Sequence, residues 1–308
     1  MHIATPGRAA IVANPTRLAD AAASRARIAE GCAVAGWDAP VWLETTPTDP
    51  GTGMAREAVA HGATLVCALG GDGTVRAVAA ALAGTRTPLG LLPAGTGNLL
   101  ARNLGVPVDS LTRALDVALT GTDRPIDVGR LVLDGDEGSA HVFLVMAGMG
   151  FDADIMASAP EHLKKRMGWP AYVVSMLQNL NGERFGVRLT FDDDPPIRRR
   201  TRAIVVGNCG RLTGGFVLLP EAEVDDGYLD AVMLAPSGVV GWAAVAARML
   251  TKQRKGHRRV EHRRLTRLTV TADEPQHTQV DGDPIGRART VTAGVESSAL
   301  LVRVRRRS

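Results

Sequence analysis

The chain has 308 residues, 45% hydrophobic and 22% charged, which excludes collagen, coiled coil and disorder and suggests two domains at roughly 150 residues each. Lys and Arg number 36 against 32 Asp and Glu, a net charge of +4, mild for this length. The three cysteines, Cys32, Cys67 and Cys209, have no metal-ligand spacing, which argues against a zinc site or a disulfide framework and suits a reducing cytoplasm.

The first third alternates strand and helix. The apolar run 9–13 reads as a buried strand ending at Asn14-Pro15, and is too short for the apolar region of a signal peptide. Helical spacing over 21–36, a strand at 41–43, a helix over 52–61 and a strand over 64–69 follow. A glycine turn then opens a helix over 74–83, and a strand at 89–92 precedes a helix over 98–104. Short apolar strands alternating with helices predict a parallel sheet covered on both faces. After Asp127 the pattern changes to strands at 128–133, 140–146, 187–191, 203–206, 228–234, 265–271 and 300–304, many joined by Asp/Gly/Pro turns. That spacing predicts an antiparallel sandwich. Helical stretches interrupt it over 163–181 and 241–255; the apolar part of the second, 239–250, falls short of the ~20 residues of a membrane span. The expected division is an α/β domain over 1–125, completed by 296–308, and an all-β sandwich over 126–295.

Gly70-Gly71-Asp72-Gly73-Thr74 lies between a strand and a helix. A glycine turn at a helix N-terminus offers backbone N–H groups and the positive end of the helix dipole to phosphate. It is no Walker loop, because the Gly-Lys-Ser/Thr ending is missing. An acid among phosphates requires a cation between them, so Asp72 implies Mg²⁺. The plainer reading is a tight turn shaped by its glycines, with Asp72 as an N-cap. Pro93-Ala94-Gly95-Thr96-Gly97-Asn98 repeats the strand–loop–helix junction, and Asn14-Pro15-Thr16 and Thr45-Thr46 follow two other strands. In a parallel sheet all four loops share the carboxyl edge, where open α/β folds bind ligands.

Taken in order, Asn14-Pro15-Thr16, Gly70-Gly71-Asp72-Gly73-Thr74 and Gly95-Thr96-Gly97-Asn98 resemble the diacylglycerol kinase catalytic domain of bacterial lipid kinases, which sphingosine and ceramide kinases share. The likeness continues through Gly148-Met149-Gly150-Phe151-Asp152, Asn208, Gly214-Gly215, Pro220, Asp225-Asp226-Gly227-Tyr228 and Val280-Asp281-Gly282-Asp283. The resemblance implies an α/β domain like that of NAD kinases and phosphofructokinases, and an ATP site in an interdomain cleft. Around the nucleotide it implies Asn14, Pro15, Thr16, one of Thr45 or Thr46, Gly70, Gly71, Asp72, Gly73, Thr74, Val75, Arg76, Gly95, Thr96, Gly97 and Asn98. It also implies a catalytic base from Asp281 or Asp283, a sandwich domain that supplies the lipid cleft, and a structural Mg²⁺ site at Glu223, Asp226 and Tyr228, partly through backbone carbonyls. Read alone, Asp-Gly at 226–227 and 281–282 are hairpin turns. Leu99 stands where the family usually has Asp, removing an acid from the Mg²⁺ network, Arg76 where Asn is common, and Asp283 where Glu is common.

Basic residues gather over 252–267, at Lys164-Lys165-Arg166, over 198–202 and over 303–307. They read either as solvated surface or as a seat for anionic phospholipid headgroups, each Lys or Arg adding about 1 kcal/mol at a membrane surface. Few aromatics accompany them and no nucleic-acid reading motif appears. The function expected is an ATP- and Mg²⁺-dependent lipid kinase, cytoplasmic and peripheral to the inner membrane face, with homodimerisation left open. Two alternatives stand beside it: an NAD-kinase-like enzyme, for which no Gly-Ser-Thr-Ala element is found, and a lipid- or nucleotide-binding protein that has lost catalysis.

Overall fold

The computed structural model describes residues 7–150, 184–212, 217–235 and 260–306. The helices expected over 163–181 and 241–255, Lys164-Lys165-Arg166, Phe151-Asp152, Gly214-Gly215 and the basic run 252–259 lie outside them. The chain divides into two compact units, Met1–Ile126 with Ser298–Ser308, and Asp127–Ser297.

The first unit contains β1 (Ala9–Ala13), α1 (Ala21–Val34), β2 (Val41–Glu44), α2 (Thr52–Ala60), β3 (Leu65–Gly70), α3 (Asp72–Leu82), β4 (Leu89–Pro93), α4 (Leu99–Asn103) and α5 (Leu111–Thr120). The strands pair in parallel in the order β4-β3-β1-β2, and Val302 near the C-terminus pairs in parallel with Leu89. β1 and β3 are buried along their whole length, as their unbroken apolar runs require in a sheet covered on both faces. Val75, Val78, Ala79 and Leu82 are all buried, and their spacing places them on one face of α3. Each fully buried leucine of this core, such as Leu65 or Leu82, contributes about 1.5–3 kcal/mol. α3 begins at Asp72 with Gly71 as its N-cap, two residues before the expected start. α5 was not expected from sequence, although Ser110 caps it by accepting from Arg113 N and Ala114, Leu115, Ala118 and Leu119 are buried.

The second unit is antiparallel and sandwich-like. It takes up β5 (Thr122–Leu133) from Asp127 on, β6 (His141–Phe143), β7 (Met146–Met149), β8 (Phe185–Phe191), β9 (Ile197–Thr201), β10 (Ala203–Gly207), β11 (Leu229–Leu234), β12 (Val260–Leu265), β13 (Arg267–Val280) and β14 (Asp283–Val304) as far as Ser297. One path of pairing runs β12-β11-β10-β7-β13-β14, with β8 and β9 joined to β13 and with β5 and β6 paired. Its core gathers Phe143, Met149, Leu189, Phe191, Val206 and Leu229. The strand expected over 140–146 is two strands, broken at Leu144-Val145, and the cause is a side chain described below. β9 coincides with the arginine run that the sequence presents only as charge.

Candidate active site

Four loops of the first unit follow the carboxyl ends of β1, β2, β3 and β4, the edge where such sheets bind ligands. Asn14 ends β1 and fixes its own loop: its Oδ1 accepts from Thr16 N at 3.1 Å and Thr16 Oγ1 at 2.7 Å, while Pro15 opens a 3-10 turn. Its Nδ2 donates to Thr74 Oγ1 at 3.5 Å, so the first loop reaches the buried threonine of the glycine turn. After β2, Thr45 N donates to Ala13 O at 2.9 Å, and Thr46 Oγ1 accepts from Asp49 N at 3.0 Å.

The two glycine loops meet. A Cβ on Gly95 would lie 2.6 Å from Gly71 Cα, and one on Gly97 would lie 2.5 Å from Asp72 Oδ2. The backbone of Gly71 leaves no space for a side chain at 95, and one at 97 would have to displace the Asp72 carboxylate. Asn98 adopts the left-handed region at φ 50, held there by a two-way link in which its Oδ1 accepts from Gly95 N and its Nδ2 donates to Gly95 O at 2.8 Å. Asp72 Oδ2 accepts from Asn98 N at 2.9 Å and its Oδ1 from Leu99 N at 2.6 Å. The Asp72 carboxylate therefore caps α4, not its own helix, and the turn is set by this bridge as well as by the glycines. Val75 is buried, Gly70 and Thr74 pack together, Gly73 and Arg76 are half-buried, and Thr96 is exposed.

The first-turn N–H groups of α3 have no intrahelical partner by helix geometry, and with the dipole they suit phosphate. The arrangement therefore fits a nucleotide's phosphates. A metal ion held wholly by side chains does not fit: among the described residues no three His, Cys, Asp or Glu converge to hold one. Mg²⁺ carried by one carboxylate and substrate phosphates needs no such set.

In the second unit, Asp281-Gly282 forms the two-residue turn of the β13–β14 hairpin, both residues at positive φ, as a type I′ turn demands. Gly282 N is held by Gln279 Oε1 at 2.7 Å. The buried Asp281 carboxylate accepts from three successive amides, Leu144 N at 3.0 Å, Val145 N at 2.8 Å and Met146 N at 3.0 Å. Those bonds divert the backbone of 144–145 from strand pairing and split the expected strand into β6 and β7. Asp283, the first residue of β14, is exposed.

At the turn expected to hold structural Mg²⁺, backbone and side chains are tied together. Gly227 N donates to the carboxylate of Asp127 at 2.6 Å, Tyr228 N to Asp226 Oδ1 at 3.0 Å, and Arg264 Nη2 to Asp226 Oδ2 at 2.5 Å. The Arg264 guanidinium also lies 4.2 Å from the centre of the Tyr228 ring. Asp226 thus has an arginine as its partner and Glu223 is exposed, so Glu223, Asp226 and Tyr228 lie at one turn whose carboxylate is paired with Arg264. Asp-Gly at 226–227 precedes β11 and is not a two-residue hairpin. Burial raises the Asp226 carboxyl above its ordinary range, with the Tyr228 N–H and Arg264 opposing and Asp127 and Glu223 adding. Burial and then Asp226 push Asp230 up to about 6, against Arg264. Sequence reasoning missed Asp127 and Arg264; the signal for the first is an acid inside the apolar run Ile126-Asp127-Val128. Asn208 donates through Nδ2 to Asp127 O at 2.8 Å, and its buried Oδ1 has no partner among the described residues.

Residues 8–131 match the model of the "Diacylglycerol kinase catalytic domain" family, and residues 144–304 that of the "YegS C-terminal NAD kinase beta sandwich-like domain". A diacylglycerol kinase of Mycobacterium tuberculosis H37Rv is 36% identical over 181 residues, 57% of this chain and 56% of that protein, so the chain spans little more than half of that relative's length. A Pseudomonas aeruginosa PAO1 protein named "Probable lipid kinase YegS-like" is 34% identical over 256 residues, 81% of this chain and 79% of that one. Among solved structures, a diacylglycerol kinase from Bacillus anthracis str. Sterne superposes with a TM-score of 0.77 at 23% identity, covering 97% of this chain and 96% of that one. Yeast NADH kinase has a TM-score of 0.55 at 10% identity, covering 99% of this chain and 85% of that one; both likenesses are of fold.

Proposed function

The chain belongs to the bacterial lipid kinases built from a diacylglycerol kinase catalytic domain and a YegS-type sandwich domain, and from that premise we propose that it transfers the γ-phosphoryl group of ATP to the hydroxyl of a diacylglycerol-like lipid. One observation carries the reading: the carboxylate of Asp72 locks two glycine loops together at the start of α3, which gives a rigid set of backbone donors for nucleotide phosphates. Asn14 supports that set from β1 through Thr74. Pro15, Thr16, Thr45, Thr46, Val75, Arg76 and Thr96 complete the proposed nucleotide surround. Phosphoryl transfer is mostly positioning and electrostatic stabilisation, so rigid donors are the contribution the protein must make. Mg²⁺ supplied with the nucleotide would offset charge on the phosphate oxygens, with Asp72 the acid beside it.

The base is assigned to Asp283. Asp281 is a poor candidate because three backbone amides occupy its buried carboxylate, whereas Asp283 sits exposed at the end of the same turn. A base must come within about 2.6–3.2 Å of the proton that it removes, which an exposed carboxylate on a rigid hairpin can do. Asp281 is then a positioning residue that fixes this hairpin against the 144–146 segment. No helix among the described residues is long and apolar enough to cross a membrane; the proposed site of action is the membrane surface, reached from the cytoplasm. The test is incubation with γ-labelled ATP, Mg²⁺ and a panel of diacylglycerol, monoacylglycerol, sphingosine, ceramide, phosphatidylglycerol and NAD. Label in a lipid supports the reading, and label in NAD alone overturns it.

A further inference from the structure

β8 and β9 form an antiparallel hairpin on β13. Val187, Leu189 and Phe191 turn one face of β8 into the core, so alternation turns Gly186 and Arg188 to the other face. Register sets Arg198 directly opposite Arg188, Arg200 opposite Gly186, and Thr271 of β13 on the other side of Arg188. These residues, with Arg199 and Asp273, line an open groove of about 530 Å³. Arg188, Arg198, Arg199 and Arg200 are all exposed. Arg200 spends one nitrogen on the neutral carbonyl of Arg184 at 2.9 Å, which leaves its charge in place. The acid in the groove is Asp273, whose carboxylate lies over Gly186.

Two arginines set directly opposite on a two-stranded ladder repel each other, so packing does not explain the arrangement. Charges on an edge strand deter pairing with other chains, but that purpose needs no groove and no facing arginine on β8. Guanidinium groups are planar donors matched to phosphate oxygens, and among the described residues no aromatic side chain lines this groove for stacking on a base.

We propose that the β8–β9 groove is a docking surface for anionic phospholipid headgroups, holding the protein on a bilayer. The inference rests on the lipid-kinase reading only for its choice of lipid over other polyanions. Attraction of this kind amounts to about fivefold in binding per basic residue near the surface and is screened by salt.

The experiment is co-sedimentation, without ATP, with vesicles of phosphatidylcholine and of phosphatidylcholine with phosphatidylglycerol, across a salt series. Wild-type protein should prefer the anionic vesicles and lose them as salt rises. The triple variant Arg188→Gln, Arg198→Gln, Arg200→Gln should bind them roughly tenfold to a hundredfold less, with a melting temperature no lower than that of wild type, since a like-charge pair is removed, and unchanged turnover of a short-chain, water-soluble diacylglycerol. Asp273→Asn, which removes the acid, should bind more tightly. Equal binding by the triple variant and wild type, equal binding of wild type to neutral vesicles, or a loss of duplex DNA binding with vesicle binding intact would overturn the proposal. Vesicle binding that behaves as expected in a protein that labels no lipid would leave this surface standing and remove the kinase reading instead.

Discussion

Replacing Asp72 by Ala should loosen the first unit, not merely its chemistry. The substitution removes two hydrogen bonds, at 2.9 and 2.6 Å, from a carboxylate to the first amides of α4. A hydrogen bond to a charged group is worth about 1.5–3 kcal/mol net, and Asp72 is only half-buried, so water will recover part of each. A loss of about 2–4 kcal/mol follows, and at roughly 2–4 °C per kcal/mol the melting temperature should fall on the order of 5–10 °C. Asp72→Asn keeps one acceptor oxygen and presents an amide N–H to the other donor, so about half that loss is expected. Thermal unfolding, with hydrogen exchange at the Asn98 and Leu99 amides, reads both effects. An Asp72→Ala protein that melts with wild type and protects those amides equally would refute the bridge.

Asp281→Ala should destabilise the second unit by several kcal/mol, because three amides lose their acceptor at once; denaturant unfolding checks it, and an unchanged midpoint contradicts it. Asp230 has its folded pKa raised to about 6 by burial, above an ordinary value of about 3.9. Its contribution is therefore fully present below about pH 4 and lost as pH rises through about 6, so Asp230→Asn should be more stable than wild type at pH 7, on the order of 2 kcal/mol, with the advantage gone near pH 4. Melting curves across that range decide it; an advantage independent of pH refutes it. Because Arg264 already supplies Asp226 with a positive charge, chelation of divalent ions should leave wild-type melting unchanged, and a clear drop would instead favour structural Mg²⁺ at Glu223, Asp226 and Tyr228.

The alternation of apolar strands with helices in the first third, and the Asp/Gly turns after Asp127, were readable because each element declares itself through local periodicity. So were the glycine loops, whose composition is itself the signal. What the sequence could not show were side-chain bonds between distant segments. Asp281 reaches back 137, 136 and 135 positions to the 144–146 amides, so nothing near Leu144 announces the break between β6 and β7. Asp72 reaches 26 and 27 positions forward to cap α4, and read locally it belongs to its own turn. Arg264 lies 38 positions from Asp226, and inside a basic run it looks like surface. β9 was hidden because Arg198, Arg199 and Arg200 mask the alternation of Ile197 and Thr201.

The deciding measurement is initial-rate transfer from γ-labelled ATP to diacylglycerol by wild type and by Asp283→Asn, with nucleotide affinity measured on both. Removal of a general base typically costs about 10²–10⁴-fold, and Asp283 lies outside the glycine loops. The result expected is label on the lipid hydroxyl, a loss of that order in the variant and unchanged ATP binding. Wild-type protein that labels no lipid, or a variant within about threefold of wild type, would contradict it.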